Sequence, residues 1–104
     1  MLFPEFKKYL EENSTGYNIF IEKATEMKNE KNKKRTGKTK KWSETKIQRQ
    51  VEEMWKEVAL NAYNTIRAEK GVPRYNGDQI WIDFMNENNF LEMFDDGMNE
   101  LELE

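Results

Sequence analysis

The sequence predicts an all-α fold: a small bundle of four to five helices, dominated by one long central helix (about 43–70) and expected to be dimeric. Three observations lead there. Apolar residues recur at steps of three and four through most of the chain. The longest such run is closed by Gly71 and Pro73, residues that end helices. Strand-like alternation is confined to Tyr17, Ile19 and Ile21.

A first helix is expected at 4–12. Pro4 suits a first helical position, and Phe3, Phe6, Tyr9 and Leu10 share one face. The turn formers Asn13, Ser14, Thr15 and Gly16 then break the pattern. Residues 17–28 fit two descriptions, because Tyr17, Phe20, Ala24 and Met27 form a helical face while Tyr17, Ile19 and Ile21 alternate. The helix formers Glu22, Lys23, Ala24, Glu26 and Met27 decide for helix.

The long helix carries a stripe of Ile47, Val51, Met54, Trp55, Val58, Ala62 and Ile66. Ser43 is placed to cap its start, and Glu52 with Lys56 forms an i,i+4 pair on its polar side. At about 1.5 Å per residue, roughly 27 residues span about 40 Å. A compact chain of this size has a radius of gyration near ~13 Å. The stripe must therefore be covered along its length by the other helices or by a second copy, hence the expected homodimer. Tyr75-Asn76-Gly77-Asp78 is a turn with a cap at Asp78. Ile80, Trp81 and Phe84 form the next apolar face. Asn86–Asn89 interrupts it, and Leu91, Phe94, Met98 and Leu101 form a last helix.

A length of 104 residues fits one domain, with a basic connector at 28–42 and an acidic helical part at 75–104. Leu, Ile, Val and Phe total only 21 residues, a thin apolar supply that three Trp, four Tyr and six Met enlarge. Cysteine is absent, so nothing points to an oxidising compartment. The opening residues lack the apolar run of a signal peptide, and no stretch has the length of a membrane span. A cytoplasmic protein without membrane contact is expected. The richness in Lys and Asn suggests low-GC coding, of the kind carried by phages and mobile elements.

Charge is partitioned along the chain. Residues 28–50 hold ten bases and two acids, whereas residues 75–104 hold no base and nine acids. The net charge of −3 hides this division because the two blocks cancel. The basic block suggests electrostatic contact with DNA or RNA, with little sequence preference. Its proposed phosphate contacts are Lys33, Lys34, Arg35, Lys38, Lys40, Lys41, Lys46 and Arg49, with Trp42 as a stacking group. Lysine dominance argues against bidentate reading of guanine. Read more plainly, the block is a solvated connector, with Trp42 as an anchor in the core.

The acidic block suggests an alternative: a protein-binding antagonist or adaptor, or a nucleic-acid mimic, that meets a partner with a basic surface. Asp78, Trp81, Asp83, Glu87, Phe90, Phe94, Asp95 and Asp96 are its candidate contacts. The plainer view makes them an amphipathic helix pair with its aromatics in the core. A third reading pairs the two blocks, within one chain or inside an assembly, so that the acids mask the bases.

Enzymatic chemistry is poorly supplied. Without histidine or cysteine there is no imidazole base, no thiol nucleophile and no zinc site of the usual kinds. Thr36-Gly37-Lys38-Thr39 resembles the end of a phosphate-binding loop, but Asn32 stands where that motif needs its first glycine. Asp95-Asp96-Gly97 lacks the alternating ligands of a calcium loop. No cofactor, metal or catalytic residue is expected.

Overall fold

The structure, a computed structural model, describes residues 1–36 and 40–103. Five helices account for most of them, and no strand occurs among the described residues. The helices are α1 (Phe3–Asn13), α2 (Gly16–Lys33), α3 (Glu44–Lys70), α4 (Gly77–Glu87) and α5 (Phe90–Glu100). Residues 17–21 are helical, as propensity decides. The helix α2 continues past the expected 28 to Lys33, so residues 28–33 of the supposed connector are helix.

The boundaries of α3 follow local chemistry. The Ser43 hydroxyl accepts from the Lys46 N–H at 3.1 Å, satisfying a donor that the first turn leaves free. At the other end Gly71 adopts φ 63°, and its N–H donates to the Arg67 carbonyl at 2.7 Å. That backbone conformation is open to glycine and costly for most other residues. The expected cap at Asp78 is not formed. Asn76, at φ 53°, stands before α4 instead, and Asp78 lies in the first turn, 3.9 Å from the Met1 amine. Asn89, at φ 51°, makes the break between α4 and α5. Asn tolerates the left-handed region better than other side chains that carry a Cβ.

The helix α3 is the spine of the bundle. Ile47, Val51, Trp55, Ala59, Tyr63 and Ile66 are its buried residues, while Met54, Val58 and Ala62 flank them half-buried. Ala59 and Tyr63 were not in the predicted stripe. Tyr63 is held in the core by donating its hydroxyl to the Met1 carbonyl at 2.8 Å. Phe6 and Leu10 of α1, Phe20 and Ala24 of α2, and Trp81 and Met85 of α4 cover the stripe. One chain buries Ile47, Val51, Trp55 and Ile66 of the predicted stripe and leaves Met54, Val58 and Ala62 half-buried. Glu52 does not pair with Lys56; it accepts from the Tyr17 hydroxyl at 2.7 Å. That bond, with burial and the nearby Glu52 and Glu11 charges, pushes the Tyr17 phenol up to about 12.

Aromatic rings bind the core along its length. Trp81 meets Tyr63 at 4.9 Å and Phe6 at 5.7 Å between ring centroids. Phe6 meets Phe90, and Phe90 stacks on Phe94 at 6.2 Å. Phe94 then meets Trp55, which also packs on Phe20 and Tyr17. Such contacts add about 0.5–1.5 kcal/mol each beyond the burial of area. The bundle is elongated, 56 × 25 × 21 Å, with a radius of gyration of 16.4 Å. The 27-residue spine accounts for about 40 Å of that length.

Two polar contacts fasten α5, which has no fully buried residue. The Lys23 ammonium on α2 donates to the carbonyls of Met98, Asn99 and Leu101 at 2.9, 2.6 and 2.8 Å. It thereby satisfies the end of α5 with a cation, where the helix dipole is negative. Asp95 closes the second contact at the α1–α2 turn, described below.

A candidate nucleic-acid interface

The α2–α3 hairpin gathers the basic block at one end of the molecule. The last turns of α2 lie beside the first turns of α3, and the return between them is tied by side chains. Asn32 bonds the Trp42 backbone in both directions: its Oδ1 accepts from the N–H at 2.8 Å, and its Nδ2 donates to the carbonyl at 3.0 Å. The Lys41 ammonium donates to the Asn32 and Lys33 carbonyls at 3.0 and 3.4 Å, closing the C-terminus of α2. Arg35 Nε donates to the Lys40 carbonyl at 2.7 Å.

Arg35 and Lys41 are thus engaged in shaping the hairpin end. Lys33 is exposed and pairs with Glu30 at 3.2 Å, an i,i+3 contact of small energetic consequence. Among the described residues, Lys34, Lys40, Lys46 and Arg49 make no side-chain hydrogen bond or ion pair, and all four are exposed. Exposed Lys31 on α2 joins them, although the expected contact set omits it. Its place in the same charge run was the available signal. Lys38 falls within residues 37–39, outside the described residues, as does most of the Thr36–Thr39 stretch.

Trp42 is half-buried against the core. The Arg35 guanidinium carbon lies 4.5 Å from its ring centroid and the Lys28 ammonium 5.3 Å. Both lie in the range of attraction between a cation and an aromatic face. Trp42 is therefore an anchor of the hairpin end as well as an indole within reach of its surface.

The acidic set does not form one surface. Trp81 is fully buried, with its Nε1 donating to the Gly71 carbonyl at 3.0 Å, and so cannot meet a partner as expected. Phe90 and Phe94 turn into the aromatic core. Asp95 is a fastening: its Oδ1 accepts from the Ser14 hydroxyl at 2.5 Å and the Gly16 N–H at 2.9 Å. Burial pushes its carboxyl up, but bonds from the Ser14 and Thr15 side chains and the Thr15 and Gly16 backbone together hold it below the ordinary value. Asp83 accepts from Gln79 at 2.8 Å on the exposed face of α4. Asp78, Glu87 and Asp96 are exposed.

Among the described residues no ion pair joins 28–50 to 75–104. The segment after α5 lies along α2 through Leu101 and Leu103 beside Met27, and Lys31 and Lys34 border that groove. The mutual masking considered from the sequence has no salt bridge to carry it. Among the described residues no helix is long and apolar enough to cross a membrane.

The fold and its surface define a small helical bundle with a cationic hairpin end. No family model, curated protein or solved structure matches the chain.

Proposed function

We propose that this is a small, non-enzymatic binding protein that contacts the phosphate backbone of nucleic acid through the end of its α2–α3 hairpin. The observation that carries the reading is that Lys31, Lys34, Lys40, Lys46 and Arg49 lie at the end of α2, on the return and at the start of α3, exposed and without an ion pair among the described residues. Such a cluster releases condensed counterions when it meets a polyanion, and the gain does not depend on sequence. The lack of histidine and cysteine in the chain favours binding over catalysis. The lack of cysteine also suits a reducing compartment such as the cytoplasm. The alternative, partner recognition by the acidic helices, is weakened because its aromatic anchors face inward.

Fluorescence anisotropy with labelled DNA and RNA at several salt concentrations tests the proposal. Five phosphate contacts predict an affinity loss of roughly 10²- to 10³-fold between about 50 and 200 mM salt. Neutralising Lys34, Lys40, Lys46 and Arg49 to Gln should flatten the salt slope by up to about 4. Replacing Asp83 and Asp96 with Asn should leave the slope unchanged. Affinity that ignores salt, or a slope that the four Gln replacements do not alter, refutes the mechanism.

A further inference from the structure

A cleft of about 310 Å³ opens beside Trp42, between the last turns of α2 and the first turns of α3. Trp42 and Ile47 supply its apolar wall, and Asn29, Gln48 and Glu44 its polar rim. We infer that this cleft receives one unpaired nucleobase, so that the hairpin end prefers single-stranded nucleic acid to duplex. The inference rests on the phosphate-binding reading above and adds the base to it.

Each part of the cleft matches a feature that only an unpaired base displays. Trp42 lines the cleft with Arg35 and Lys28 over its ring, so a base that stacks there takes their place on the indole, and stacking on an aromatic ring is open to every base. Trp55 and Trp81 are sealed in the core, which makes Trp42 the one tryptophan within reach. Asn29 and Gln48 are exposed amides, each with a donor and an acceptor, and Glu44 adds a carboxylate acceptor. A base in a duplex has spent its pairing edge and both faces, whereas an extruded base offers all three to such a wall and rim.

The platform is also held in place before binding. Asn32 bonds the Trp42 backbone through both its amide oxygen and its amide nitrogen, which holds that backbone in place and lowers the ordering cost of binding. Arg35 and Lys28, already over the ring, put positive charge next to the site where the backbone of a bound strand must pass. At about 310 Å³ the cleft is at the small end of ligand sites, which suits a single base.

The test compares a short thymidine oligonucleotide with an abasic strand of equal length and phosphate count, both titrated into the full chain. Anisotropy reports affinity and tryptophan emission reports stacking. Expected are quenching by the thymidine strand alone and roughly 5- to 150-fold weaker binding of the abasic strand. Asn29→Ala with Gln48→Ala, at exposed positions, should weaken the thymidine strand and leave the abasic strand unchanged. Equal affinity for the two strands, or tighter thymidine binding without quenching, overturns the cleft while leaving the phosphate reading intact. Binding of neither strand removes both.

Discussion

Trp81→Ala should lower the stability of the protein by about 3–5 kcal/mol, the range for deleting a large buried aromatic. The indole has no exposed surface, packs on Tyr63 and Phe6, and donates to the Gly71 carbonyl. Its loss leaves a cavity where α1, α3 and α4 meet, and strands a carbonyl at the residue that ends α3. Domains of this size are stable by about 5–15 kcal/mol, so the variant should lose a large share of the total. Urea denaturation of the two proteins measures the difference. A Trp81→Ala protein as stable as its parent, but deprived of a protein partner, would return this residue to the recognition role first suggested by its sequence context.

Asp95→Ala should cost about 1.5–3 kcal/mol, the range for hydrogen bonds to a charged group. One carboxylate oxygen serves both the Ser14 hydroxyl and the Gly16 N–H, so its removal frees the hydroxyl and leaves the N–H with Ser14 Oγ alone at the turn between α1 and α2. Both residues are buried, and a Cβ on Gly16 would come 3.0 Å from Met98 and 3.1 Å from Phe94. The close approach of α2 to α5 there leaves little space for water to take over the bonds. The pH dependence has a definite sign. Because the folded carboxyl is held below its ordinary value, its contribution is complete above pH ~4 and fades as the pH falls through the depressed value. Asp95→Asn should therefore be less stable at neutral pH, and its deficit should shrink toward acid. A deficit that is constant from neutral pH to pH ~2 would mean that the charge of Asp95 contributes nothing.

Local signals made the helices legible. Ser43, Gly71, Pro73 and the Asn-rich break at 86–89 act on the backbone next to them, and a single sequence displays them directly. The stripe of α3 was legible in phase but not in detail. Ala59 is small and Tyr63 carries a hydroxyl; burial of either depends on what lies opposite, which sequence spacing does not reveal. Long-range fastenings were invisible for the same reason. Lys23 looks like any surface lysine until the end of α5 arrives beside it, and Asp95 looks like a member of an acidic row until Ser14 meets it. The basic block was plain in composition, but its division into engaged and exposed cations depends on the fold of the return. Trp81 marks the limit most clearly: helical spacing places an aromatic on a face, and only packing decides whether that face meets solvent.

The fastening of α5 by polar bonds, instead of by deep burial, shapes how the native protein opens. Its amide protons should exchange with deuterated solvent earlier than those in the middle of α3, whose side chains at Val51, Trp55 and Ala59 are sealed from water. The last helix is then a unit able to swing away while the remaining rods stay assembled, its release governed by one ammonium, one carboxylate and the parting of Phe90 and Phe94 from Phe6 and Trp55.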